Sequence, residues 1–166
     1  MNNVILIGMP GSGKSTIGVV LAKILGYEFL DSDLVIQKRE KRRLSEIIES
    51  EGSDGFLKIE NSVNCSLNPE QTVIATGGSA IYGTEAMNHL GQIGTIIYLK
   101  LEYEELERRL GDLKNRGVVL KEGQTLLDLY QERVPLYEKY ARITIDEKGK
   151  DIQDIAIEIQ SVLRKC

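Results

Sequence analysis

Tryptophan is absent from this 166-residue chain, phenylalanine and cysteine occur twice each, histidine once and proline three times. Cys65 and Cys166 make neither a metal-ligand spacing nor a disulfide framework, which points to a reduced, cytoplasmic setting. No apolar run approaches the ~20 residues of a membrane span, and the stretch over 4–7 is far too short for a signal peptide. Positive charge is not in excess: 21 basic residues face 25 acidic ones, for a net charge of −4. The only basic cluster, Lys41-Arg42-Arg43, reads as a solvated helix end, so neither a nucleic-acid scaffold nor an anionic membrane surface fits. What remains is 42% hydrophobic composition without repeats, low-complexity segments or linkers. That describes one domain over 1–166, able to bury roughly 70% of its unfolded surface without staples.

Residues 3–7 are continuously apolar and end in glycine, the pattern of a strand buried on both faces. Further strands are expected over 28–30, 73–75, 95–99 and 143–145. Helical spacing covers 17–25 (stopped by Gly26), 34–39, 45–50, 54–67, 103–110, 125–140 and 152–163, with Ser45 and Asp54 as expected N-caps. The stretch 80–94 receives no element, although His89 reads as a surface helix residue. The segment 111–123 mixes charge and glycine and reads as a mobile excursion. Strands alternating with helices imply right-handed crossovers and a mainly parallel sheet covered on both faces.

Gly8-Met9-Pro10-Gly11-Ser12-Gly13-Lys14-Ser15-Thr16 matches G-x-x-x-x-G-K-[ST] in full, between a strand and a helix. Chance would place such a match in a chain of this length in under about 1% of cases. Glycines let backbone N–H groups turn towards phosphate oxygens, Lys14 brings a charge to the β- and γ-phosphates, and the Ser15 hydroxyl suits Mg²⁺. The positive end of the following helix adds to the site.

Ligands of a parallel sheet bind outside the carboxyl ends of its strands. Asp31-Ser32-Asp33, Thr76-Gly77-Gly78-Ser79 and Asp146 therefore belong on the edge that carries the phosphate loop. Asp31 and Asp33, alternating along an extended segment, should point to different sides, one towards a metal and one towards an acceptor; Asp33 could instead cap the next helix. Gly77 and Gly78 permit close backbone approach. Arg108, Arg109, Arg116 and Arg133 are loose cations of the kind phosphoryl transfer recruits. Tyr130, Tyr137 and Tyr140 fall at helical spacing and are expected to pack. A GTPase is excluded by the lack of an Asn-Lys-x-Asp base reader, and the only Asp-x-x-Gly, beginning at Asp146, comes too late.

These segments, in this order, resemble the shikimate kinase family over nearly the whole chain. The phosphate loop, Asp31-Ser32-Asp33, Phe56-Leu57-Lys58-Ile59-Glu60, Thr76-Gly77-Gly78 and Arg133-Val134-Pro135-Leu136-Tyr137 carry the resemblance. It implies an α/β fold, the three-layer P-loop kinase architecture, with a five-stranded parallel sheet in order 2-3-1-4-5. It also implies an acceptor-binding helical segment at about 33–62 and a lid at about 111–124. The implied activity is that of a cytoplasmic, monomeric, ATP- and Mg²⁺-dependent kinase of aromatic amino acid biosynthesis, with shikimate as acceptor and neither nucleic acid nor membrane as partner. Gly11, Ser12, Gly13, Lys14, Ser15 and Thr16 would surround the phosphates, and Arg109 and Asp146 would lie beside adenine. Lys14 and Arg116 would stabilise the transferring group, while Ser15 and, through water, Asp31 would hold Mg²⁺. Asp33 would take the acceptor hydroxyl, Gly77 and Gly78 would meet the acceptor through backbone, and Arg133 would pair with its carboxylate.

The departures concern the acceptor. Leu57 stands where the resemblance implies a second carboxylate-binding arginine; Arg116-Gly117-Val118-Val119 replaces Arg-Pro-Leu-Leu; and Ser79 replaces a third glycine. Lys58 is no simple substitute, since the next helical residue points about 100° away. A different small hydroxylated acceptor is the alternative reading. A third is a nucleotide-binding module without turnover, which intact Lys14, Ser15, Asp33 and Arg116 argue against.

Overall fold

The computed structural model describes residues 2–110 and 121–165. β1 (Asn3–Ile7) lies at the centre of a five-stranded sheet and is buried along its whole length. β2 (Glu28–Asp31), β3 (Thr72–Ala75), β4 (Gly94–Lys100) and β5 (Ile143–Asp146) complete it in the order β2-β3-β1-β4-β5, every neighbouring pair parallel. This is the sheet that the sequence pattern and the resemblance called for.

Alternation along the strands divides the core into two faces. Val4, Leu6, Val73, Ile97, Leu99 and Ile145 meet Ile17, Leu21 and Ala22 of α1 (Lys14–Leu25) and Ile155, Ala156 and Ile159 of α7 (Ile152–Leu163). Ile5, Ile7, Ile74, Ile96 and Tyr98 face the other way. There they pack against α4 (Thr84–Ile93), α5 (Tyr103–Arg109) and α6 (Leu126–Tyr140) through Met87, Leu90, Leu106, Leu129 and Tyr137. With each fully buried aliphatic side chain worth about 1.5–3 kcal/mol, the two faces fix the register of β1 in the middle of the molecule.

α2 (Ser32–Glu40) and α3 (Leu44–Ser66) build a smaller layer around Ile36, Ile47, Phe56 and Val63 at the β2 side. The two expected helices, 45–50 and 54–67, form one element broken at Gly52, whose φ of 73° lies where only glycine sits without strain. Its start differs from expectation: Arg43 occupies the N-cap position and Glu46 Oε2 accepts from its N–H at 2.7 Å, so Ser45 lies inside the helix. α4 is the element that strand and helix patterning missed. Ala86, Met87 and Leu90 form a three-residue buried stripe, too short to stand out in sequence among polar neighbours. His89 sits on this helix, half-buried, with its ring nitrogen hydrogen-bonded to the Leu67 carbonyl. Among the described residues no helix is long and apolar enough to cross a membrane.

Candidate active site

All five strands deliver their carboxyl ends to one edge. At β1 the chain enters the loop 8–13, and Gly13, in a left-handed conformation, precedes the first turn of α1. Lys14 folds back over the loop: Nζ donates to the carbonyls of Gly8 and Met9 at 2.8 Å each, with Ser12 Oγ at 3.5 Å. Burial lowers the lysine to about 8, opposed mainly by the Asp33 charge. Lys14 thus remains mostly cationic at neutral pH. Its present partners are neutral carbonyls, which a phosphate oxygen can displace as the stronger acceptor.

β2 ends at Asp31, which caps α2. Asp31 Oδ1 accepts from the Asp33 N–H at 2.9 Å, and Asp31 Oδ2 accepts from Ser15 Oγ at 2.9 Å. The two carboxylates point to different sides, as expected, but the extended arrangement does not hold, because the strand stops at Asp31 and Asp33 already belongs to the helix. Asp31 is the cap. Asp33 projects into a cavity of about 300 Å³ lined also by Lys14, Ser15, Phe56, Glu60, Gly77, Gly78, Ser79 and Arg133. Burial raises the Asp33 carboxyl to about 6, the Asp31 charge pushing the same way and Lys14 opposing.

The loop after β3 closes the opposite wall. A Cβ on Gly77 would stand 2.7 Å from Asp33 Oδ1 and 2.8 Å from Glu60 Oε2. One on Gly78 would meet Pro10 Cδ at 2.7 Å and Arg133 Nη1 at 2.9 Å. Side chains at these two positions would fill the space that the acidic and basic groups converge on. Arg133 reaches the cavity from α6, wholly buried, its guanidinium carbon 5.4 Å from the centre of the Tyr82 ring and Nε 3.4 Å from the Tyr82 hydroxyl.

A second concavity lies across the phosphate loop, between α5 and the loop after β5. Arg109 Nη1 donates to the Gly11 carbonyl at 3.1 Å and lies 3.7 Å from Glu147 Oε1, while Nε donates to Glu105 at 3.0 Å. Ser12, Gly13 and Thr16 line this side together with Arg109 and Glu147. Asp146 is exposed and accepts from the Lys148 N–H at 3.0 Å; its neighbour Glu147 is the buried carboxyl of the loop, raised by burial to about 7. Arg116 and residues 111–120 of the expected lid lie outside the described residues.

Sequence reasoning missed two of the groups gathered here. Glu60 was legible only as part of the Phe56–Glu60 helix motif, and Tyr82 not at all, whereas Tyr137 packs in the core as expected. Leu57, by contrast, is half-buried and packs on the Ile36, Ile47, Phe56 and Val63 cluster. Lys58 is exposed and does not line the cavity. Among the described residues the cations lining it are Lys14 and Arg133.

A phosphate loop at the head of a central parallel strand, facing a cavity lined by acidic and basic side chains, defines a P-loop small-molecule kinase. A family model described as shikimate kinase matches residues 10–164. The chain is 38% identical over 165 residues to a shikimate kinase of Pasteurella multocida, covering 97% of this chain and 94% of that one. It is 42% identical to one of Mannheimia succiniciproducens over the same shares. A shikimate kinase from Acinetobacter baumannii, solved in complex with shikimate, superposes with a TM-score of 0.89 at 35% identity, covering 99% of this chain and 94% of that one. The chain belongs to the shikimate kinase family, phosphotransferases that act on a hydroxyl group.

Proposed function

We propose that this chain transfers the γ-phosphoryl group of ATP to a hydroxyl of shikimate. The observation that carries the reading is the convergence of Lys14, Asp33, Gly78 and Arg133 on one cavity beside the phosphate loop. Lys14 leaves the Gly8 and Met9 carbonyls for the β- and γ-phosphate oxygens and stabilises charge that spreads in the transition state. Asp33 accepts the hydrogen bond of the acceptor hydroxyl and takes its proton as the phosphoryl group arrives. Arg133 pairs with the acceptor carboxylate, and Arg109 stacks or bonds beside the base.

Ser15 Oγ and Asp31 Oδ2, 2.9 Å apart, are hard oxygen donors suited to Mg²⁺, which is usually held by one or two protein oxygens with phosphates and water filling the remaining positions. When bound there, the ion would neutralise charge on the β- and γ-phosphates. Ser15 and Asp31 hold each other in place for that task.

A second acceptor is favoured by one observation: Leu57 supplies no cation, so apart from Lys14, which the phosphates engage, a carboxylate entering the cavity finds Arg133 and two acids, Asp33 and Glu60. ADP release measured with shikimate and with a panel of hydroxy acids and sugars separates the two. Turnover with shikimate at millimolar concentration supports the first reading; its absence in folded, ATP-binding protein with turnover of another compound establishes the second.

A further inference from the structure

Tyr137 lies one helical turn beyond Arg133 on α6 and is fully buried. Its ring stacks on Tyr98 of β4, the centroids 5.1 Å apart and the planes 19° from parallel. A phenylalanine would make the same stack. The hydroxyl therefore needs its own account, since burying it without a partner is costly. It donates to the Gly78 carbonyl at 2.7 Å and lies 3.7 Å from the sulfur of Met9, in the phosphate loop. Burial pushes the phenol well above its ordinary range, so it stays a donor throughout the working pH range, with Arg133 close beside it.

Gly78 is the residue squeezed between Pro10 and Arg133. In a trans peptide the carbonyl of Gly78 and the N–H of Ser79 point in opposite directions, so anchoring the first sets the direction of the second. We propose that Tyr137 is a positioning residue for the phosphoryl acceptor: its hydroxyl anchors the Gly78 carbonyl and holds the Gly77-Gly78-Ser79 backbone in register with Arg133 and the phosphate loop. The residue acts through Gly78 and touches no substrate itself. One α-helix thereby supplies both the acceptor's cation and the support for its backbone contacts.

The proposal rests on the reading that Gly78 and Arg133 face the acceptor, and its test separates the two. Tyr137→Phe keeps the ring stack and removes the hydroxyl, both as the donor to Gly78 and as a hydrogen-bond partner of Arg133, so the exchange measurement over 77–80 is what isolates the Gly78 anchor. With melting temperature and ATP dissociation constant checked against wild type, the KM for shikimate is expected to rise roughly five- to tenfold with kcat less affected. Amide exchange over residues 77–80, measured without any substrate, is expected to accelerate in the same variant. A purely structural hydroxyl would lower the melting temperature and leave KM unchanged, and that result overturns the proposal, as does unchanged exchange over 77–80. Should wild type fail to phosphorylate shikimate, the functional reading falls, and the exchange result alone then decides whether Tyr137 anchors the loop.

Discussion

The Ser79 hydroxyl donates to Glu60 Oε1 across 2.7 Å, while Glu60 Oε2 stands 2.8 Å from where a Cβ on Gly77 would be. One hydrogen bond is too little to offset the desolvation of a carboxylate that is 2% exposed, and Glu60 is raised from an ordinary 4.5 to about 7.

A group raised in this way makes stability depend on pH with a definite sign. The folded state holds the proton between pH 4.5 and about 7 whereas the unfolded chain releases it, so the stabilising contribution is full below 4.5 and is lost as pH rises through about 7. Glu147 adds to the same trend over a similar window. Glu60→Gln should flatten the decline. Calorimetric melting of wild type and variant from pH 4.5 to 7.5 checks it, and parallel curves would contradict the assignment.

Activity should follow a bell. Asp33 must be ionised to accept a proton, so kcat/KM rises through its value of about 6; Lys14 must be charged, so it falls through about 8. Asp31→Asn removes one of the causes that raise Asp33 and should move the acid limb to lower pH. A pH–rate profile with no inflection between 5 and 7 would show that Asp33 is not the titrating base.

Much of this site was legible because it is local in sequence. The phosphate loop needs only nine consecutive residues, and Asp31, Gly77 and Gly78 could be placed on the right edge once the strands were seen to be parallel. The contacts that shape the walls on either side of the phosphate loop are not local. Tyr137 meets Gly78 across 59 positions, Glu60 meets Ser79 across 19 and Arg109 meets Gly11 across 98. No periodicity encodes such pairs. Asp33 enters the cavity as one member of its motif was expected to, but from the first turn of a helix and not from an extended segment, and the cap of that helix falls to Asp31.

Lys14→Ala should lower kcat by roughly a hundredfold or more, the scale on which a preorganised charge at a transition state counts. The loop carbonyls of Gly8 and Met9 lose their donor, so a modest fall in melting temperature accompanies it. Wild-type circular dichroism with undiminished ADP formation would remove Lys14 from the chemistry.

Leu57→Arg tests the acceptor side. Position 57 lies three residues before Glu60 on α3, so an arginine there neighbours a raised carboxyl that lines the cavity. A charge-assisted hydrogen bond to the acceptor carboxylate is worth ~1.5–3 kcal/mol, equivalent to roughly ten- to a hundredfold in binding. Glu60 competes for the new guanidinium, and the apolar contacts of Leu57 with the Ile36, Ile47 and Val63 cluster are lost, so the lower end of that range is expected along with a slightly reduced melting temperature. Because the added contact forms in the ground state and the transition state alike, KM for shikimate should fall about tenfold while kcat stays nearly constant. Steady-state kinetics at saturating ATP give the answer, and a KM that does not move would mean that the acceptor's carboxylate rests on Arg133 alone.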